Sequence, residues 1–395
     1  MSADQVRYVE KWLAHVRALA HDIGPRGSTT EGERQGSLYC NRVLSDLGLD
    51  SQVEPFRSAR SIFFPHVLSS ACMLAAFALY PLAGRISAVA AALLSLVAVA
   101  SDLMELSFIP NLLRWLLPKG PSQNVVATVS PAEEHQQDLV LIGHVDTQRT
   151  PIIFSSARWV AAYQAFTTVA FVLFVVQVLL YILGAIVLWD WVWFASIPSA
   201  IGALLLAAMC IQADLTPFTA GANDNATAAG LVLTLGEQLL ETPLRHTRVW
   251  LVCTGCEEVQ HYGAADFFRR HADALVHASA VIFEMLGCDG PAWLTQEGIV
   301  IPFHADPQMV ALAERLAAEH PEWGAHPAQI RGGNTEMADA LRAGLPAIAL
   351  TGQGPNGEIP YWHQVGDTVD KVDPEVLSRA YAFVWSYLQA LDAER

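Results

Sequence analysis

Five separated places in this 395-residue chain carry side chains that can hold metal ions. His144 and Asp146 follow the apolar run "DLVLIG". Asp224 lies in "GANDNATAAG". Glu257 and Glu258 follow "TRVWLVCTGC", Glu284 closes "ASAVIFE", and His363 stands in "YWHQVGDTVD". Zinc takes imidazole nitrogen and carboxylate oxygen and leaves a position open for catalysis. Two zinc ions about 3.5–4 Å apart can share one carboxylate and a hydroxide. Two histidines and three carboxylates satisfy such a pair: one His, one terminal carboxylate and one shared carboxylate per metal. Asp146, two residues beyond His144, is placed to hydrogen-bond the other imidazole nitrogen and orient the ring. Glu257 and Glu258 are neighbouring acids that repel each other at the end of a buried strand unless cations separate them. A dinuclear metal resolves this, with Glu258 binding metal and Glu257 accepting a proton from the attacking water.

The elements that must position these residues are legible as short runs rich in Val, Ile and Leu: "NVVATV", "DLVLIGHVD", "TRVWLVCTG", "ASAVIFEML" and "LPAIALTG". Each reads as a strand buried on both faces. Helical patterns such as "ATAAGLVLTLGEQLLE" and "PQMVALAERLAAEH" lie between several of them. The fold class is therefore α/β, a mostly parallel mixed sheet flanked by helices. In open α/β sheets ligands collect beyond the carboxyl ends of the strands, where the candidate ligands stand. The N-terminal stretch predicts an amphipathic helix with Val6, Val9, Leu13 and Val16 on one face, and no signal peptide.

Two apolar blocks interrupt this pattern. The chain is 53% apolar and only 16% charged, against about 25% charged for an ordinary soluble domain. Block one has uncharged runs from Ser61 to Gly84 and from Ile86 to Ser101, the second extending toward Ile109 past Asp102 and Glu105. In block two Asp190 separates uncharged runs of 31 and 23 residues, with Trp159, Trp189, Trp191 and Trp193 at their ends. Both blocks predict transmembrane helical hairpins, four spans in all. The expected domains are 61–118 and 158–213 as the hairpins, with 1–60, 119–157 and 214–395 as three parts of one catalytic domain. An even number of spans returns the chain to the side it left. Arg57, Arg60, Arg114, Lys119, Arg149 and Arg158 lie on the domain side, against Arg85 and the acidic Asp190 on the far side. Positive-inside reasoning puts the catalytic domain in the cytoplasm, under an inner or plasma membrane. The six scattered cysteines fit a reducing compartment, with structural roles for Cys253 and Cys256. A net charge of −16 argues against nucleic acid as a partner.

The ordered set (HxD, GxxDN, EE, an acid ending an apolar strand, then His followed by GDT) resembles the co-catalytic di-zinc peptidases of the bacterial aminopeptidase, glutamate carboxypeptidase and glutaminyl cyclase group. "DIGPRGSTTEGERQGSLYCNRVLSDLGL" is similar to that family's first helices, and "GGNTEMADALRAGLPAIAL" to its last loop, helix and strand. The resemblance implies one zinc on His144, Asp224 and Glu284 and a second on Asp224, Glu258 and His363. Glu257 is then the general base, and the Asp224–Asn225 peptide bond is cis. Departures are Glu284, where the family usually has Asp, and Tyr361 and Trp362, where an oxyanion-stabilising Tyr is usual. Tyr361, Trp362, Arg331 and His304 are the candidate substrate contacts.

The implied enzyme is a membrane-anchored zinc metallopeptidase, an exopeptidase and first of all an aminopeptidase, using a metal-bound hydroxide. Its partners are a peptide substrate and the bilayer. Manganese or cobalt are alternatives to zinc. A carboxypeptidase, amidohydrolase or glutaminyl cyclase-like activity, an inactive membrane receptor or assembly module, and a transporter are the other readings. The spans either bring the site to apolar or membrane-bound peptides, or only anchor and homodimerise the enzyme.

Overall fold

The buried apolar runs form one sheet in the computed structural model, which describes residues 3–188 and 190–394. The chain divides into two units, one from residues 1–58, 119–148 and 218–395 and one from 59–118 and 149–217. The unit boundaries thus lie at 58/59, 118/119, 148/149 and 217/218.

The first unit carries the sheet. Its strands are β1 (Gln52–Ala59), β2 (Lys119–Val129), β3 (Gln137–His144), β4 (Thr247–Thr254), β5 (Ala278–Glu284), β6 (Ala292–Glu297), β7 (Phe303–His304), β8 (His326–Gln329) and β9 (Ala347–Thr351), in the order β1-β2-β4-β3-β5-β9-β6-β7 with β8 beside β6. β3 runs parallel to β4 and β5, and β5 parallel to β9. β2 is antiparallel to β4, and β6 to β9. The architecture is the mixed, helix-flanked sheet expected. The five strands read from sequence are the central ones; β1 and β6 to β8 are shorter or partly exposed and lack that signature.

Helix Thr227–Glu241 packs on β3 with almost all its residues buried. The approach requires glycine at position 143: a Cβ there would lie 2.6 Å from the Ala228 carbonyl carbon. This contact brings the loop preceding the helix beside His144. The N-terminal helix Ala3–Arg17 buries Tyr8, Val9, Trp12 and Val16, whereas Val6 is exposed. The expected stripe is rotated because Tyr8 and Trp12, four apart, fill the core; Trp12 Nε1 also donates to the Thr227 carbonyl at 2.6 Å.

The second unit is a helical bundle: Phe64–Leu79, Gly84–Leu106, Ala157–Val187, the short Trp191–Ala195, and Ile197–Asp214. Its interior is built from small residues and polar contacts. Ala76, Ala88, Ala91, Ala98 and Ala203 are buried, as in helices that associate by close approach. Gln177 Nε2 donates to the Met73 carbonyl (3.1 Å) and Ser95 Oγ (3.3 Å). The rings of Tyr80 and Tyr181 stack at 4.6 Å. Asp102 and Glu105 are buried and paired, with His66 and Arg114 respectively. The outward positions are apolar: Ile86, Leu93, Val172, Leu179, Ile186 and Leu204 are all exposed, the reverse of a water-soluble bundle.

Three of these helices, with 23, 31 and 18 residues, are long and apolar enough to cross a membrane. Phe64–Leu79 has 16 residues, about 24 Å at 1.5 Å per residue, short of a hydrocarbon core of about 30 Å. The Trp193 ring stacks on Phe77 and its Nε1 donates to the Phe77 carbonyl at 3.0 Å. Trp159 and Trp191 are exposed. Trp189 lies outside the described residues.

Candidate metal centre

Five side chains converge at the carboxyl ends of the central strands of the first unit. His144 is the last residue of β3 and Glu284 the last of β5, while Glu258 follows β4 after a tight turn. Asp224 and His363 arrive on loops. His144 Nε2 lies 3.5 Å from Asp224 Oδ1 and 3.7 Å from Glu284 Oε2. His363 Nε2 lies 3.4 Å from Asp224 Oδ2 and 3.2 Å from Glu258 Oε2. Asp224 thus faces a His–Glu pair with each oxygen. Two groups of three buried ligands share it: His144, Asp224 and Glu284, and Asp224, Glu258 and His363. His144, Glu257 and Glu258 form a third group, with Glu257 Oε2 3.6 Å from His144 Nε2.

The backbone is bent to make this possible. Cys256, Met285 and His363, at or beside ligands, have φ of 55°, 53° and 53°. Non-glycine residues occupy this left-handed region at a cost of order 1–3 kcal/mol each. Buried side chains capture their amides. Glu33 Oε1 accepts from Cys256 N at 2.8 Å, and Asn225 Oδ1 from Met285 N at 3.0 Å. Asn225 also donates to Glu284 Oε2 at 2.8 Å. The Asp224–Asn225 peptide bond is cis.

Asp146 meets His144 through its main chain. His144 Nδ1 lies 3.1 Å from the Asp146 main-chain oxygen but 3.6 Å from its carboxylate. That carboxylate instead accepts from the amides of Glu257 (3.0 Å) and Glu258 (3.2 Å) and from Ser28 Oγ (2.6 Å). It holds the acidic pair in place by its backbone.

Several supporting residues were not singled out from the sequence. Asp367, the Asp of "GDT", accepts from the amides of Asn223 (2.7 Å) and Asp224 (3.0 Å). Gln148 Nε2 donates to Glu258 Oε2 at 3.0 Å. Arg26, fully buried, donates to the carbonyls of Leu19, Gly24, Val145, Ala220 and Gly221, tying the His144 and Asp224 loops together. His261 touches Glu257. Of these, Asp367 and Arg26 lay within quoted stretches, but the roles of all of them become visible only through long-range contacts. Among the substrate candidates, Trp362 packs its ring on His363 at 4.4 Å and Tyr361 precedes it with φ of 62°. His304 and Arg331 are exposed; His304 pairs with Gln296 in the sheet, and Arg331 donates to Gln329.

The electrostatics call for cations. Burial, together with Asp224 and Glu257, pushes the Glu258 carboxyl well above the ordinary range, and burial pushes Glu284 up to about 7. Burial alone would lower His144, but Glu257 and Glu284 hold it well above its ordinary value. Asp224 Oδ2, Glu258 Oε1 and Glu284 Oε1 are buried without a hydrogen-bond partner. Unsatisfied buried carboxylate oxygens this close together are costly unless cations occupy the space they face. The donor set, imidazole and carboxylate only, fits zinc.

Residues 209–388 match the model of peptidase family M28. No curated protein matches the chain in sequence. Among solved structures the chain is similar to a Porphyromonas gingivalis glutaminyl cyclase (14% identity, TM-score 0.58, covering 97% of this chain and 98% of that one). It is also similar to a zinc aminopeptidase from Bacillus subtilis (12%, 0.56, 97% and 95%) and a Zn-dependent exopeptidase from Parabacteroides distasonis (11%, 0.54, 98% and 98%). At such identities these likenesses establish the fold.

Proposed function

We propose that this chain, whose residues 209–388 match the model of peptidase family M28, is a zinc metallopeptidase of that kind: a membrane-anchored exopeptidase with two zinc ions, acting first of all as an aminopeptidase. The observation that carries the reading is the sharing of Asp224 between two buried three-ligand groups. His144, Asp224 and Glu284 would hold one ion, and Asp224, Glu258 and His363 the other. When bound, zinc supplies Lewis-acid polarisation of the scissile carbonyl and lowers the pKa of water. Glu257, with Oε2 turned toward the ligands, takes a proton from the attacking water and delivers it to the leaving amine nitrogen. Asp146, Asp367 and Gln148 keep the ligand loops in register. Substrate contacts are proposed at Tyr361 and Trp362, which adjoin His363, ahead of His304 and Arg331. The anchoring reading rests on the apolar exterior of the second unit and its three long apolar helices; the fourth expected span, Phe64–Leu79, is too short to cross as a helix by itself.

The test is Glu257→Gln in the full-length protein in detergent, assayed on L-aminoacyl-p-nitroanilides and on N-acetylated counterparts. Glu257→Gln should retain the zinc content of the wild type while turnover falls about 10²–10⁴-fold. Near-normal turnover would remove Glu257 from the mechanism. Cleavage of blocked but not free-amine substrates would exclude an aminopeptidase. Fewer than two zinc ions per chain, by elemental analysis, would exclude the dinuclear site.

A further inference from the structure

His261 is buried beside the metal centre, yet the hydrolytic reading gives it no task. Its ring lies between two carboxylates, Nε2 3.1 Å from Glu257 Oε1 and Nδ1 2.6 Å from Asp339 Oδ2. Asp339 belongs to helix Met337–Arg342, remote in sequence. The backbone that brings His261 there is unusual. Gln260 and His261 have φ of 79° and 55°, and His261 N donates back to the Glu257 carbonyl at 2.8 Å. Two successive non-glycine residues in the left-handed region are uncommon and gather at functional sites. Glu257 is thereby held at both ends: Oε1 meets His261, and Oε2 faces His144.

We propose that His261, fixed by Asp339, is the positioning residue of the base: its Nε2–H bonds Glu257 Oε1 and leaves Oε2 alone turned toward the metal ligands and the attacking water. The proposal rests on Glu257 being the base. A free glutamate side chain samples several rotamers, and a hydrogen bond to one oxygen selects the productive one. Burial alone would lower the His261 imidazole, but Asp339 and Glu257 hold it well above its ordinary value, so both ring nitrogens donate. The cation also offsets the repulsion between Glu257 and its neighbour Glu258. The proton taken from water then resides on Oε2, since Oε1 is already engaged, and leaves from there to the amine nitrogen.

The test compares His261→Asn, His261→Gln and Asp339→Asn on the most rapidly cleaved L-aminoacyl-p-nitroanilide. Asparagine tolerates the left-handed backbone but is too short to reach Glu257; glutamine restores a donor at longer reach. We expect His261→Asn to lower kcat about 10–100-fold with KM and zinc content unchanged. Asp339→Asn should fall in between, and His261→Gln should recover part of the loss. In zinc-free protein labelled with ¹⁵N-histidine, the Nδ1 proton shared with Asp339 should give a downfield resonance that Asp339→Asn abolishes. A kcat for His261→Asn within twofold of wild type, alongside an inactive Glu257→Gln, overturns this proposal and leaves the base standing. A loss of kcat matched by an equal loss of zinc, or no rescue by glutamine, overturns it too. An active Glu257→Gln overturns the base itself.

Discussion

At the scale of single residues, the ligands are held by acceptors that take backbone amides as well as by side-chain donors on their carboxylates. Asp367 is the clearest case, accepting from both amides ahead of the proposed bridging residue. Removing a buried carboxylate that satisfies two amides costs about 2–4 kcal/mol. Supports of this kind also change metal affinity about 10–100-fold. Asp367→Ala should therefore weaken zinc binding by that factor, measured by competition with a chelator, while Asp367→Asn, which keeps one acceptor oxygen, should lose less. Equal zinc affinity in all three proteins would show that the Asp224 loop holds its shape unaided. The motif "HQVGDT" signalled that this Asp mattered, whereas its job depends on Asn223 and Asp224, about 144 residues away in the chain. Asp146 teaches the same lesson from the other side. Its spacing from His144 predicted a contact with the imidazole, but the turn after β4 offers two unpaired amides that compete for the carboxylate and win.

At the scale of elements, the N-terminal helix shows how packing decides what periodicity leaves open. Its apolar residues allow more than one buried stripe, and the bulk of Trp12 against helix Thr227–Glu241 selects the stripe that includes Tyr8. His15, on the same helix, has its imidazole pushed down to about 4 by burial, with Nδ1 2.7 Å from Tyr39 Oη. The sign follows from the proton count. Between pH 6.5 and 4 the unfolded chain binds the proton more readily than the folded one, so stability is full above pH 6.5 and is lost as pH falls toward 4. Allowing for its partial exposure, the contribution is about 2 kcal/mol. Denaturant midpoints at pH 7.5 and 5.0 should converge in His15→Gln relative to wild type; an unchanged gap would assign the acid sensitivity to other groups.

At the scale of the whole molecule, the second unit carries many apolar residues outward and buries two carboxylates, Asp102 and Glu105, paired with His66 and Arg114. An exposed apolar surface of this kind marks a contact with a membrane or a protein partner, and in the anchoring proposal we take it as the former. The protein should stay in the membrane fraction after alkaline carbonate extraction. Protease added to inverted, but not right-side-out, vesicles should digest the catalytic domain if it faces the cytoplasm. Release into the soluble fraction would refute the anchor, and digestion from the outer face would reverse the orientation. The basic residues behind the cytoplasmic expectation are fewer in effect than in sequence, because Arg114 is paired with Glu105 and Arg149 with Asp214.

What the sequence determined alone is the chemistry and the class of fold. Three of the five ligand-type residues, His144, Glu258 and Glu284, stand at or just beyond the ends of strand-like runs, and burial on both faces of a parallel strand leaves an apolar signature that no partner need be known to read. The tertiary structure alone decided which residues serve the ligands. Arg26, Gln148, His261 and Asp339 carry no local pattern, because a hydrogen bond between distant segments depends on where the loops meet and not on any period along the chain. It also decided the short edge strands, whose half-exposed residues acquire their place only by pairing with a neighbour.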